Sequence, residues 1–95
     1  MSNGMEERYR ETTQPTLSNF LVGIADIYAR DLPDSSGGVA SRMSGLLVIS
    51  DPETRQSREE TVIEGSIVTI GADRYCVTRI EEGKHSPGWL SLRKL

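Results

Sequence analysis

The chain has 95 residues, of which 36% are hydrophobic and 26% are charged, and its formal net charge is −3. This length accommodates one small domain with a modest core and leaves no room for a second folded unit. One cysteine and one histidine cannot form an internal disulfide or supply four ligands to a structural zinc ion. We therefore expect no metal and no cofactor. No apolar run approaches the length of a membrane span, so we expect a soluble protein without a membrane partner.

The charges are unevenly divided along the chain. Residues 1–73 carry 6 basic and 12 acidic groups, whereas residues 74–95 carry 5 basic and 2 acidic groups. Such a division suits contacts between copies of the chain or with partners of opposite charge, although chance scatter on a solvated surface gives the same counts. The overall acidity counts against nucleic acid as a partner, because phosphate contacts need a concentrated basic face.

The N-terminal segment and the first patterned segment are different in character. Residues 1–15 contain few apolar side chains and closely mixed charges, which predicts a flexible arm, followed by a single small β-rich domain over residues 16–95. From residue 17 apolar side chains recur at helical spacing, but Gly23 opposes a helix. The alternative is a strand that Asp26 interrupts. We favour a short helix over residues 17–24 that leads into a strand over residues 24–30.

Two polar segments flank the next apolar run. Residues 31–44 contain "DLPDSSGGVAS", whose turn-forming residues predict a flexible loop without the lysine of a phosphate-binding loop. The run "MSGLLVISD" predicts a strand that ends at Asp51-Pro52. Residues 51–60, which include "PETRQSREE", predict a second, highly charged loop.

The last third of the chain has the clearest strand pattern. In "GSIVTIGADRYCVTRIEE" two alternating runs meet at a tight connection around Gly71, which predicts a hairpin. Ile80 has the wrong parity for the core face, and a β-bulge near Thr78 and Arg79 would correct it. Leu90 and Leu92 predict a final strand with Trp89 on its opposite face. The predicted fold is mainly β, a barrel or sandwich-like antiparallel meander with one short N-terminal helix.

No set of side chains indicates catalysis. Cys76 lies in the middle of a predicted strand and His85 in a polar loop, so the two do not pair as nucleophile and base. Neighbouring glutamates in an extended strand point to opposite faces and cannot share a proton. We predict that the chain is not an enzyme. Trp89 is either a lid over one end of the core or an anchor for a partner.

The final strands carry a resemblance to a known family. Residues 45–95, with "LLVISDPE" and "EGSIVTIGADRYCVTRIEEGKHSPGWLSLRKL", resemble the closing region of bacteriophage head-tail joining proteins. The matching positions are Gly65, Val68, Ile70, Gly71, Tyr75, Val77, Ile80, Gly88 and Leu92. The segment that the family has between these two regions is shorter in this chain.

The resemblance implies a phage or prophage structural protein that forms a ring between the portal and the tail. It implies self-association and contacts with portal, connector and tail proteins, in the host cytoplasm during assembly and then in the virion. We take Asp34, Arg42, Arg55, Arg58 and Trp89 as candidate interface residues. The alternative is a small β-barrel binding module for a protein or nucleic-acid partner, and an enzyme is the third hypothesis.

Overall fold

The structure, a computed structural model, describes residues 6–95 as eight β-strands in two antiparallel sheets. The strands are β1 Glu6–Arg10, β2 Thr16–Leu17, β3 Phe20–Pro33, β4 Val39–Ser50, β5 Ser57–Ile63, β6 Ile67–Ile70, β7 Asp73–Glu81 and β8 Trp89–Lys94. One sheet has the order β1-β8-β7-β6 and the other has the order β2-β3-β4-β5. The prediction of a mainly β, antiparallel fold is confirmed. Over these residues, no helix has the length and apolar character needed to cross a membrane.

The two sheets share one apolar core. Each fully buried large apolar side chain stabilises the fold by about 1.5–3 kcal/mol relative to its exposed state, so this cluster is the main source of stability. The β2–β5 sheet contributes Val22, Ile24, Ile27, Leu47, Ile49 and Val62, and the β1/β6–β8 sheet contributes Val68, Ile70, Tyr75, Val77, Ile80, Leu90 and Leu92.

The predicted N-terminal helix is wrong. Its residues form β2, a two-residue turn and the beginning of β3. Val22 and Ile24 point into the core at the spacing of a strand, and a bulge between Ala25 and Tyr28 then buries Ile27 as well. Asp26, at φ 52°, lies in this bulge. The bulge produces an apolar spacing of three, which resembles a helix in the sequence.

Part of the predicted flexible arm is a strand. Residues Glu6–Arg10 form β1, which pairs with β8 over its whole length. Tyr9 packs against the core and its hydroxyl donates a hydrogen bond to Glu7, 3.0 Å away. Burial, with that hydrogen bond, raises the pKa of Tyr9 to about 12. The backbone N–H and C=O groups along the outer edge of β8 need hydrogen-bond partners, and β1 supplies them although its side chains are mostly charged. Residues 1–5 of the arm lie outside the described residues.

The predicted loop over residues 31–44 is a long hairpin. Strand β3 continues to Pro33 and β4 begins at Val39, with Pro33 opposite Val39, so only residues 34–38 form the turn. Strand β5 pairs with β4 only from Ser44 onward. Residues 29–43 therefore project as a two-stranded extension, called the ribbon below.

The second predicted loop is shorter than expected. Residues 51–56 form the connection between β4 and β5, and residues 57–60 belong to β5. Ser57 pairs with Ser50 across the connection. The alternation in β5 is weak because its exposed face is charged, and only Val62 is fully buried in it. A charged edge strand of this kind looks like a loop in the sequence.

The final third agrees with the sequence pattern. Strands β6 and β7 form the predicted hairpin, and Gly71, at φ 63°, occupies the first position of its two-residue turn, where type II′ turns favour glycine. The register of β7 against β8 shifts between Val77 and Arg79, and Ile80 is buried. The predicted bulge is thus confirmed, as is the β8 strand with Leu90 and Leu92 in the core.

Candidate functional site

Two of the candidate interface residues, Asp34 and Arg42, lie on the ribbon. Asp34 opens the turn at the tip, and its Oδ1 accepts hydrogen bonds from the backbone N–H of Ser36 and of Gly38, each at 3.0 Å. The Ser36 hydroxyl donates to the same oxygen at 2.7 Å. Arg42, exposed on β4, adds a favourable charge. The tip is thus a compact turn organised around one carboxylate.

The carboxylate of Asp34 is expected to titrate below its ordinary range. The hydrogen bond from the Ser36 hydroxyl is the main cause of the lowered pKa, and the backbone N–H groups of Gly38 and Ser36 add to it. A lowered pKa means that the ionised form stabilises the turn above the ordinary value of 3.8, and that this contribution is lost as the pH falls through the folded value. NMR titration should show a midpoint below 3.8, with the amide shifts of Ser36 and Gly38 following the same curve. A midpoint at or above 3.8 would contradict the geometry of the tip.

The base of the ribbon is held to the body of the fold by Arg30. Its guanidinium lies over the ring of Tyr28, 3.9 Å from the centroid, and donates a hydrogen bond to the hydroxyl of Ser44. Ser44 is fully buried, and its hydroxyl donates to the carbonyl oxygen of Tyr28 at 3.1 Å. These contacts fix the direction in which the ribbon leaves the sheet. They involve side chains that the sequence pattern did not single out.

Arg55 and Arg58 lie near the opposite end of β4, away from the ribbon tip. Arg55 is exposed at φ 63° in the connection between β4 and β5. Arg58, on β5, reaches the carbonyl oxygen of Thr69 and forms an ion pair with Glu60 at 3.0 Å. This exposed pair adds little stability, but the contact with Thr69 joins the edges of the two sheets. A cleft of about 350 Å³ opens beside Arg58 and Phe20.

Trp89 lies on the other sheet, where β8 begins. One face of its ring is covered by the guanidinium of Arg8 on β1, 3.9 Å from the ring centroid. The side chain is half-buried and borders an open cleft of about 590 Å³ together with Met43 and Pro87. Trp89 therefore closes part of the core edge while part of its surface remains accessible. This position is consistent with both roles predicted for Trp89, a lid over the core and an anchor for a partner.

The candidates for catalysis stay apart. Cys76 lies near the beginning of β7 and is paired with Arg93, whereas His85 is exposed in the loop after the end of β7. Five residues of extended strand separate Cys76 from Glu81, a span of roughly 16 Å. Within residues 6–95, no group of three histidine, cysteine, aspartate or glutamate side chains is placed to hold a metal ion.

A hydrogen-bonded serine is a reactive-looking group that the sequence did not reveal. The Ser18 hydroxyl lies 2.6 Å from Oδ2 of Asp73 and 2.7 Å from the Tyr75 hydroxyl. Lys94 pairs with the same aspartate at 3.3 Å. The hydrogen bond from Ser18 is the main cause of the lowered pKa of Asp73. An ionised carboxylate is a poor base for a serine, so this network ties the β2–β3 turn to β7 rather than activating a nucleophile.

The sheets also redistribute the charge. The segments that build the β1/β6–β8 sheet, residues 6–15 and 64–95, carry 7 basic and 7 acidic groups, whereas residues 16–63 carry 4 and 7. The basic end of the sequence is therefore neutralised by β1 and its neighbours. The fold therefore does not have one basic end and one acidic end, as the sequence alone would indicate.

The five candidate residues thus occupy three surfaces: the ribbon, the β4–β5 end and the edge near Trp89. Asp34 and Arg42 lie at the tip and near the base of the ribbon, and Arg55 and Arg58 lie near one another along the chain. Trp89 borders a cleft that Met43, at the base of the ribbon, also lines. Turn-forming residues around Asp34 were the sequence signal for the first surface. Comparisons of the chain with protein families, with curated proteins and with solved structures find no match.

Proposed function

We propose that the chain is a phage or prophage structural protein that joins head and tail by assembling as a ring on the connector. The observation that carries the proposal is the ribbon. It extends beyond the two sheets, is exposed at its tip, and has an outer edge on each strand with no neighbouring strand among residues 6–95. Unpaired strand edges are the usual site for adding a strand from another molecule.

The proposed partner of the ribbon is the next copy of the same chain. A ribbon on one side of the protein that binds a different surface on the next copy makes a head-to-tail contact, and such contacts generate rings when the rotation closes. Arg30 and Ser44 fix the ribbon's base, so its direction is set before binding. A preset direction lowers the entropy that is lost on assembly.

The proposal takes its function from the resemblance of residues 45–95 to head-tail joining proteins. Nearly all of the positions that carry it lie in β6, β7 and β8 or in the turns beside them, which form a continuous meander. The proposal places the protein in the host cytoplasm during assembly and then in the virion, in contact with portal and tail proteins. It assigns binding rather than catalysis to the chain, with no cofactor.

Charge reversal on the ribbon tests the assembly step. Arg42→Glu reverses the charge of an exposed side chain on the ribbon and should weaken self-association, because the ribbon then repels groups that it otherwise attracts. The control is Arg74→Glu, the same change at an exposed position on β7. Sedimentation velocity at increasing concentration should show one discrete large species for the unmodified chain and for Arg74→Glu, and mainly monomer for Arg42→Glu. A chain that stays monomeric at every concentration would overturn ring assembly.

A binding module for another partner remains the second candidate. The accessible side of Trp89 and the cleft beside it favour it, since half-buried aromatic residues are common anchors. Trp89→Ala separates the candidates: the fold should persist, and ring assembly should weaken only if this cleft belongs to the contact between copies. Heat denaturation checks the first point and sedimentation the second.

A further inference from the structure

The two sheets have the same construction. If β1–β4 are renumbered as β5–β8, and β5–β8 as β1–β4, the order β1-β8-β7-β6 becomes β5-β4-β3-β2, which is the order of the other sheet. In each half of the chain, three consecutive strands form a meander and the first strand joins the sheet of the other half. The topology therefore has an approximate twofold relation.

The backbone repeats this relation at a constant offset of 53 residues. Thr12 N–H donates to the carbonyl of Ile24 at 2.7 Å, and Gly65 N–H donates to the carbonyl of Val77 at 2.7 Å. The return bonds, from Ile24 to Thr13 and from Val77 to Ser66, are both 2.9 Å.

The turns and the hairpin registers follow the same offset. Thr12 and Gly65 both have positive φ, 69° and 93°. The hairpin pairs Leu17 with Phe20 in the first half and Ile70 with Asp73 in the second. These matches extend over the hairpin and its entry, so they do not arise from one shared turn type.

Two glutamates complete the correspondence. Each of β3 and β7 contains a bulge that leaves a backbone N–H without a ladder partner. The N–H of Ile27 donates to Glu11 at 2.9 Å, and the N–H of Ile80 donates to Glu64 at 3.0 Å. Both glutamates lie 16 residues before the isoleucine that they bind. At equivalent positions in the two halves, a glutamate therefore accepts the hydrogen bond of the N–H that the bulge leaves unpaired.

We infer that the chain is an internal duplication, in which two copies of one four-stranded unit bind each other by exchanging their first strands. The sequences of residues 11–27 and 64–80 agree at three positions, Glu11/Glu64, Thr16/Thr69 and Ile27/Ile80. The two units are therefore similar in their backbone pairing and in the pattern of their apolar residues, and much less in their individual residues. The interaction surface between the units is the shared core, and the partner of each unit is the other copy.

The comparison of the two units also shows that the ribbon is present only in the first of them. Strands β7 and β8 are joined by residues 82–88, whereas β3 and β4 continue into the ribbon. The equivalent connection in the second unit has no ribbon, so the two-sheet arrangement does not require one. This conclusion depends on the geometry alone, and it holds whether or not the proposed function is correct.

A circular permutant tests the inference. Glu6 is paired with Arg93, so the two ends of the described chain lie side by side, as Ser57 and Ser50 do across the β4–β5 connection. A short Gly-Ser linker from Leu95 to Met1, with new termini between Glu53 and Thr54, keeps all 95 residues and makes a chain with the two units in reverse order. We expect it to give the same backbone NMR shifts away from the junctions and one cooperative unfolding transition. Loss of the native spectrum would overturn the inference.

Paired substitutions test the equivalence at single sites. Glu11→Ala should speed hydrogen exchange of the Ile27 amide, and Glu64→Ala that of the Ile80 amide, each by about five- to tenfold, because each amide loses its hydrogen bond to the glutamate. Glu11 also accepts a hydrogen bond from the Gly88 N–H at 3.2 Å, so the Gly88 amide should exchange faster in the Glu11→Ala variant as well. Glu59→Ala, at an exposed position on β5, is the control and should change neither amide. The inference is overturned if only one of the two bulges responds to the loss of its glutamate.

Discussion

Replacing Leu90 with alanine is expected to lower the free energy of unfolding by about 2–5 kcal/mol. Leu90 is completely buried in β8, between Tyr9 of β1 and Ile80 of β7. Its Cδ2 lies 3.1 Å from the place where a side chain on Gly45 would begin, so it fills the space up to the facing sheet. Truncation would leave a cavity where the two sheets meet. A domain of this size is stabilised by only about 5–15 kcal/mol, so the loss is large.

Leu95→Ala is the matched control for this change. Leu95 is 51% exposed, so its truncation should alter stability by no more than about 0.5 kcal/mol. Urea denaturation followed by tryptophan fluorescence measures both variants, and the slope against urea should stay the same because the unfolded chain exposes a similar surface. A cost below about 1 kcal/mol for Leu90→Ala would mean that the sheets do not share the core described above.

Removing the ribbon is expected to abolish self-association while the fold remains. Arg30 and Arg42 are direct cross-strand partners, so residues 31–41 can be replaced by Asn-Gly, which suits a two-residue type I′ turn. The shortened chain keeps Arg30 and Ser44 and therefore keeps the base of the ribbon. Sedimentation velocity should find only monomer at concentrations where the unmodified chain assembles.

The melting temperature of the shortened chain decides how a loss of assembly is interpreted. We expect it to fall by no more than a few degrees, because no residue of the apolar core lies in residues 31–41. Ser35→Ala, an exposed change at the tip, is the control and should assemble normally if the strands rather than the turn make the contact. A shortened chain that still assembles would remove the ribbon from the interface.

The sequence predicted the final third well because its elements are locally determined. Val68 and Ile70 in β6, and Tyr75 and Val77 in β7, are each two residues apart, and Gly71 marks the turn between the strands. The parity break at Ile80 was strong enough to predict the bulge. The equivalent bulge in β3 is not evident from the sequence. The spacing of three residues between Ile24 and Ile27 also fits one face of a helix, and Gly23 alone does not decide between a helix and a strand. The choice depends on pairing with β4, which the local sequence does not show.

The ribbon and β1 could not be predicted for a related reason. Their side chains are exposed or only half-buried, so their strands are formed by pairing rather than by burial. The turn signals around Asp34 correctly marked the tip but made the loop seem longer than five residues. For β1, the signal is Tyr9, a single apolar contact in a charged segment.

The sequence indicates which residue types could form an interface, but it does not show which of these residues lie close together in the fold. Charged residues in polar segments were plausible contacts, and the structure separates them into distinct surfaces. Arg8 over Trp89 and Arg30 over Tyr28 each join residues whose pairing depends on the sheet register. The Ser18 and Asp73 contact spans 55 residues of sequence. No local pattern indicates such contacts.

The most direct test of the proposed function is the location of the chain in phage particles. Cells that encode the chain would be induced to release particles, and an antibody raised against it would be imaged by immunogold electron microscopy. The proposal predicts gold at the junction between head and tail, with label on isolated connectors as well. Intact tailed particles without label, from cells whose cytoplasm contains the chain, would contradict it.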